Sequence, residues 1–138
     1  MIELTWVAPA VEDQQEAKCR IDASIRIIIP AKKRKEALII LSSLIDQTKL
    51  EEGCISCRLY GDVQEQGALM LEEIWASKKD LERHLRSDKF RTVLLVIEMG
   101  AESPEIRFDV ISQSTGIDTI EKVRAKPNRP DKTNMFNS

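Results

Sequence analysis

Three side chains suited to proton transfer or aromatic binding lie near the middle of the chain: Glu73, Trp75 and His84. His84 is the only histidine in the protein, and an imidazole titrates near neutral pH. The carboxylate of Glu73 can accept a proton or orient an imidazole, while an indole offers a flat apolar face and one N–H donor. These residue types would suit a pocket that binds an aromatic ligand and moves a proton.

The predicted elements around these residues begin with a strand, because apolar residues alternate with others from residue 69 to residue 75. One face of this strand carries Leu69, Leu71, Glu73 and Trp75. Ser77 then ends the strand and can cap a helix, with Asp80 three residues later completing a capping pair.

The helix that follows places His84 on the same side as Leu81 and Leu85, since residues three and four apart are neighbours on a helix surface. A helix that follows a strand this closely usually folds back over the sheet. We therefore expect His84 to meet Glu73 and Trp75 in one half-buried space.

Each of the three residues also has a purely structural interpretation. A carboxylate on an apolar face must be paired, be hydrogen-bonded or have a raised pKa, so Glu73 is either a general base or a brace for a neighbour. His84 is either a core residue with both nitrogens hydrogen-bonded or the proton-handling group of a pocket. Trp75 either fills the core or presents its face to a ligand.

The cysteines do not predict a metal or redox site. Cys54 and Cys57 have C-x-x-C spacing, but they lie in a predicted strand, where residues three apart point to opposite faces. Zinc would need Cys19 and His84 as well, from distant segments. No glycine-rich nucleotide loop or G-x-S-x-G motif is present, so we expect neither a cofactor nor a metal.

Composition excludes several classes of protein. Among 138 residues, 21 are Lys or Arg and 23 are Asp or Glu, so a nucleic-acid partner is not expected. The one basic run, residues 32–35, is expected to be a solvated helix end. No apolar run approaches the ~20 residues of a membrane span, and three cysteines are an odd number for a disulfide framework. We expect a soluble, cytoplasmic protein without a membrane partner.

The order of elements predicts an α+β fold of the ferredoxin-like βαββαβ type with a four-stranded antiparallel sheet. Strands are predicted at residues 21–30, 54–62, 69–76 and 105–112, and helices at residues 32–50, 78–87 and 88–99. Residues 21–113 form the predicted domain. Residues 1–20 are an N-terminal arm, and residues 114–138 are a largely disordered extension with a short helix at residues 116–124.

Such a sheet is covered by helices on one side and leaves its other face open. Tyr60, Met70 and Ile74 are expected on that open face. A mixed apolar surface commonly marks a partner site, and a homodimer joined through the open faces would cover it.

Four runs of residues resemble the antibiotic biosynthesis monooxygenase family, in its quinol monooxygenase-like branch. They are Glu51-Glu52-Gly53-Cys54, Glu73-x-Trp75-x-Ser77, Leu81-Glu82-x-His84-Leu85 and Ser87-x-x-Phe90. The resemblance implies a dimeric α+β barrel with a pocket between sheet and helices in each monomer. It also implies cofactor-independent oxygenation of a quinol- or anthrone-like aromatic by molecular oxygen.

The same resemblance implies roles for the site residues. His84 and Glu73 would be catalytic, with His84 removing a proton and Glu73 orienting it. Trp75, Leu71 and Leu81 would contact the substrate, and no cofactor would be needed. The alternative is a non-catalytic small-ligand-binding or regulatory barrel with the same dimeric architecture.

Overall fold

In the computed structural model of this chain, residues 19–125 are described. They form β1 (Arg20–Ile28), α1 (Ala31–Thr48), β2 (Cys54–Gly61), β3 (Ala68–Trp75), α2 (Lys78–Leu85), α3 (Asp88–Glu98), β4 (Glu105–Ile111) and α4 (Ile117–Arg124). This order confirms the predicted sequence of strands and helices, including the short helix after β4. Residues 1–18 of the predicted arm and the predicted tail beyond residue 125 lie outside the described residues.

The four strands form one antiparallel sheet in the order β2-β3-β1-β4. This is the ferredoxin-like α+β arrangement predicted from the order of elements. The central strand β1 aligns Ala23 with Glu73 on one side and with Phe108 on the other. Register pairs point to the same face of the sheet, so Glu73 faces the layer of helices from the middle of the sheet.

Helix α1 owes its stability to the apolar stripe that it packs on the sheet. Its buried residues recur at helical spacing: Ala37, Leu41, Leu44, Ile45 and Thr48. Its first turn has no acidic residue, and Pro30 makes no side-chain cap, so its N-terminus gains little from capping or from the helix dipole.

The core between sheet and helices has two parts. The larger cluster lies under α1 and α3 and includes Ile27, Leu41, Leu71, Val93 and Ile97. The smaller cluster lies under α2 and consists of Ile21, Ala23, Trp75 and Leu81, with Leu85 and Phe108 packed against it. The predicted site residues therefore lie at the end of the core that α2 covers.

Strand β2 contains an irregularity that overturns one sequence-based expectation. Cys54 aligns with Trp75 and Cys57 aligns with Glu73, because the register shifts between Cys54 and Ser56. This β-bulge leaves Ile55 as the extra residue, half exposed, and turns both thiols toward the helices. The expectation that the two cysteines point to opposite faces is wrong.

The open face of the sheet carries Tyr60, Met70 and Ile74, as predicted from alternation. Charged residues share this face. They include Asp22, Arg26, Glu72, Arg107 and Asp109. The face is therefore more polar than an alternating apolar pattern alone would indicate.

Among residues 19–125, no helix is both long and apolar enough to cross a membrane.

Candidate active site

The turn from β3 into α2 positions the candidate site. Ser77 caps α2, since its hydroxyl accepts a hydrogen bond from the Asp80 backbone N–H at 3.2 Å and donates one to the Asp80 carboxylate at 2.8 Å. This is the capping pair predicted from the sequence. The cap residue lies two residues after Trp75 and α2 begins at Lys78, so the helix folds directly back over the end of the sheet.

Glu73, Trp75 and His84 meet under α2. The Trp75 indole N–H donates to Glu73 Oε1 at 3.0 Å, and the His84 ring lies 4.7 Å from the Trp75 ring at an angle of 31°. Trp75 and His84 are 0% exposed and Glu73 is 3% exposed. The structure thus brings together the three side chains that sequence spacing selected, in a more fully buried place than predicted.

A fourth residue, Glu51, completes the cluster and was missed by sequence analysis. Its carboxylate oxygens lie 3.0 and 3.1 Å from His84 Nδ1. Lys89 from α3 donates to the same carboxylate at 3.2 Å. The His84 imidazole is therefore held between two carboxylates, Glu51 at Nδ1 and Glu73 at Nε2.

Gly53 explains how Glu51 reaches a helix that is distant in sequence. Its φ of +84° is favourable for glycine, and a Cβ at this position would collide with the Asp80 side chain. The Gly53 carbonyl accepts a hydrogen bond from the Ala76 N–H at 2.7 Å, and Arg83 donates to the Glu52 carbonyl at 3.4 Å. The loop before β2 is therefore bound to the start of α2, which directs Glu51 toward His84.

Gly53 lies in the loop, four residues after Lys49, the residue that caps α1. Two adjacent glutamates, Glu51 and Glu52, precede it, and no periodic signal distinguishes the inward one.

Two atoms of the cluster remain available for a further partner. His84 Nε2 lies 3.3 Å from Glu73 Oε1, but the contact lacks hydrogen-bond alignment. His84 Nε2 and Glu73 Oε2 are buried and have no hydrogen-bond partner among the described residues. Buried polar atoms are normally satisfied, so this pair is a natural place for a ligand hydroxyl.

The surroundings of His84 act on its pKa in opposite directions. Burial lowers the pKa because it disfavours the charged imidazolium, whereas the short contact with Glu73 and the charges of Glu73 and Glu51 raise it. The carboxylates outweigh burial, and the pKa of His84 lies above its usual value of 6.5. A buried base with this pKa is suited to proton transfer near neutral pH.

This geometry agrees with the comparisons with known proteins. The family model for antibiotic biosynthesis monooxygenases matches residues 21–94, more than half of the chain. This chain belongs to the antibiotic biosynthesis monooxygenase family. The matched segment contains Glu51, Glu73, Trp75 and His84. A monooxygenase-family function in general terms follows from this membership.

Individual relatives agree with the family assignment. A conserved protein from Methanosarcina mazei Go1 is 28% identical, with a TM-score of 0.63 over 70% of this chain and 95% of that chain. A crystal structure of an antibiotic biosynthesis monooxygenase is 19% identical, with a TM-score of 0.60 over 64% of this chain and 95% of that one, and supports the fold alone.

A curated relative is the uncharacterized protein sll1783 from Synechocystis, which is 27% identical over 95 residues, or 69% of this chain. The chain spans 60% of the length of that relative.

In this antibiotic biosynthesis monooxygenase domain, the two predicted substrate-contacting leucines belong to different parts of the core. Leu81 packs in the same small cluster as Trp75, whereas Leu71 packs in the larger cluster under α1. The ring of Phe90 from α3 also contacts His84 in an edge-on arrangement, with ring centroids 5.6 Å apart. Trp75, Leu81 and Phe90 therefore form the apolar surroundings of the imidazole.

The thiols of the bulge border the same cluster. The pKa of Cys54 is raised to about 11, mainly by burial and further by the charges of Glu73 and Glu51. Burial is also the main reason why the pKa of Cys57 is raised. Both therefore remain protonated at neutral pH, which makes them poor nucleophiles. Within the described part of the chain, no three His, Cys, Asp or Glu side chains are grouped to hold a metal ion.

Proposed function

We propose that this chain is a cofactor-independent monooxygenase that oxidises a quinol- or anthrone-like aromatic with molecular oxygen. The observation that carries the proposal is the different hydrogen bonding of the two ring nitrogens of His84. Nδ1 of His84 is held by Glu51, while Nε2 is buried beside Glu73 with no hydrogen-bond partner. An imidazole held in this way is prepared to accept a proton from a bound hydroxyl or activated C–H group.

The first step is proton removal. With its Nδ1–H directed to Glu51, neutral His84 accepts the substrate proton at Nε2. The adjacent Glu73 carboxylate, 3.3 Å from Nε2, stabilises the imidazolium that forms. The indole N–H of Trp75 holds that carboxylate in place at 3.0 Å. In this scheme Glu51 and Trp75 are positioning residues, and His84 is the catalytic base.

The oxidation then needs only the substrate anion and oxygen. For an anthrone, the carbanion transfers one electron to O2, and the two radicals combine to form a C–O bond. The imidazolium returns its proton to give a hydroperoxide. Loss of the remaining C–H proton breaks the O–O bond and expels hydroxide, which leaves as water. The CH2 group becomes a carbonyl, and the overall balance is CH2 plus O2 to C=O plus H2O.

The apolar environment favours this chemistry. Trp75, Leu81 and Phe90 exclude water from around the imidazole, so the substrate anion is poorly solvated and more reducing. The protein contributes position and electrostatics, and the electrons come from the substrate.

We also propose a homodimer joined through the open face of the sheet, as is implied by the family resemblance. Tyr60 is 41% exposed on this face, and Met70 and Ile74 lie beside it. A second copy would cover these side chains. A cytoplasmic location is part of the same proposal, because the described cysteines are free thiols.

A non-catalytic ligand-binding barrel is the second candidate. It is favoured by one observation: the Trp75 indole is already stacked on His84 and bonded to Glu73, so one face and its N–H are occupied. A buried polar network of this kind can serve stability alone.

Oxygen uptake separates the two candidates. Purified protein would be tested with a panel of anthrones and substituted quinols in an oxygen electrode. His84→Gln would be tested beside the control Arg86→Gln, which changes the exposed residue directly after α2. We expect His84→Gln to lower the rate at least 100-fold and Arg86→Gln to leave it unchanged. Thermal unfolding would confirm that both variants fold. Ligand binding without oxygen uptake would favour the non-catalytic barrel, and a rate indifferent to His84→Gln would remove the proposed base.

A further inference from the structure

A cleft lies at the β2 bulge, next to the two cysteines that border the buried cluster. It has a volume of about 290 Å³ and is lined by Lys49, Cys54, Ile55, Ser56, Cys57 and Arg58. This volume is at the lower end of the range for small-ligand sites, about 300 Å³ and above. The cleft is therefore large enough for a compact aromatic molecule.

The two cysteines of the bulge lie between this cleft and the buried cluster. Cys54 is half-buried and Cys57 is 1% exposed, and both turn inward, where they align with Trp75 and Glu73 across the sheet. The negative charge of Glu73 raises the pKa of both thiols. The thiols consequently separate the outer cleft from the Glu73 carboxylate.

The charges on the two sides of the thiols have opposite sign. On the inner side are the carboxylates of Glu73 and Glu51. On the outer side, Lys49 is exposed. Its positive charge lowers the pKa of both thiols, whereas the charges of the two carboxylates raise it. Within the described residues, Lys49 makes no ion pair. An anionic group would therefore be repelled from the inner end and attracted to the mouth.

We propose that the cleft at the β2 bulge is the mouth of the active site, and that it selects aromatic substrates bearing an anionic substituent such as a carboxylate. The Lys49 ammonium binds this substituent at the mouth. The neutral hydroxyl-bearing end of the ring points past Cys54 and Cys57 toward Glu73 and His84. Charge thus sets the orientation of the substrate as well as its class. This inference rests on the proposed function for the role of His84, but its binding step can be tested separately.

The test uses two non-quinol probes that differ by one carboxylate at the end of the ring opposite the hydroxyl: 6-hydroxy-2-naphthoate and 2-naphthol. Their dissociation constants would be measured by calorimetry with the full chain under anaerobic conditions, so that turnover plays no part. We expect the wild type to bind the carboxylate probe about tenfold more tightly, since hydrogen bonds to charged groups contribute this much. Lys49→Gln should reduce the preference to about one, whereas the matched control Lys35→Gln, on the exposed side of α1, should retain it.

A second variant tests the route rather than the charge. Cys54→Trp would fill the mouth and should weaken the binding of both probes at least tenfold. The variant should still show a cooperative thermal unfolding transition, which would confirm that it folds. Equal affinity of the wild type for both probes, failure to bind either, or a preference that survives Lys49→Gln would overturn the proposal. A Lys49-dependent preference with no oxygen uptake would instead remove the catalytic function and leave the cleft as a binding site.

Discussion

His84 is held by a carboxylate that lies 33 residues before it in the chain: Nδ1 of the imidazole is 3.0 Å from Oε1 of Glu51. The loop that carries Glu51 is held by hydrogen bonds from the Ala76 N–H to the Gly53 carbonyl and from Arg83 of α2 to the Glu52 carbonyl. Lys89 binds the Glu51 carboxylate from α3. This contact orients the ring and leaves Nε2 as the nitrogen without a hydrogen-bond partner among the described residues. The base of the proposed reaction is therefore prepared by a residue that is not expected to touch substrate.

Replacing Glu51 by Gln should lower kcat/KM 10- to 100-fold, as is usual when the partner that orients a ring nitrogen is changed. Because the negative charge of Glu51 helps to raise the pKa of His84, its removal should also move the pH–rate profile to lower pH. Oxygen-uptake rates across the pH range would measure both effects. The neighbouring control Glu52→Gln, whose side chain is 87% exposed, should change neither. A slower variant with an unshifted profile would mean that Glu51 acts only through stability.

The wild-type pH dependence follows from the direction of the His84 pKa shift. A general base must be neutral, so kcat/KM should rise with pH and level off above a midpoint that is higher than 6.5. A rate that is greatest at low pH and falls through this region would indicate that the imidazolium, rather than the neutral imidazole, is the active form.

Trp75→Phe should destabilise the fold by about 1–3 kcal/mol, because Glu73 Oε1 would lose its buried N–H donor. Urea unfolding monitored by circular dichroism would measure the change. In a Glu73→Met background there is no carboxylate to leave unpaired, so the same substitution should cost less. If the two costs were equal, the hydrogen bond would contribute little and the loss would reflect packing alone.

Asp22 on the open face should make stability depend on pH. The pKa of Asp22 is raised to about 6, and burial is the largest cause. The hydrogen bond and charge of Glu72 and the charge of Asp109 raise this pKa further, whereas the charge of Arg107 lowers it. A carboxyl group with a raised pKa favours the folded state at low pH, and this contribution is lost as pH rises from 3.8 through about 6.

Asp22→Asn should therefore stabilise the protein near pH 8 by about 1 kcal/mol, after allowance for solvent screening, and have little effect below pH 4. Thermal unfolding of both proteins at the two pH values would measure the difference. A gain of equal size at both would show that ionisation of Asp22 is not its cause.

The proposed homodimer predicts that a charge placed on the open face separates the subunits. Ile74→Lys should convert a dimer into a folded monomer, whereas Ile39→Lys, at a 62% exposed position on α1, should leave the dimer intact. Light scattering after size-exclusion chromatography would give the masses. A wild-type monomer, or a dimer that tolerates lysine at position 74, would place the interface elsewhere or remove it.

Local patterns predicted most of the architecture. Alternation identified the strands, helical spacing identified the stripe on α1, and Ser77 with Asp80 identified the start of α2. These signals depend on residues a few positions apart, so the sequence reports them directly. The same reasoning selected Glu73, Trp75 and His84, because a short turn between a strand and a helix leaves little freedom in where the helix lies.

By itself, then, the sequence determined the order of elements, the face of β3 that enters the core and the helix that carries the imidazole. Only the tertiary structure decided that Glu51 holds His84 and that the β2 bulge turns Cys54 and Cys57 to the same side. Both features depend on contacts between segments that are distant in the chain. A single unpaired residue in a strand reverses its alternation, and no local pattern of residue types reports that pairing.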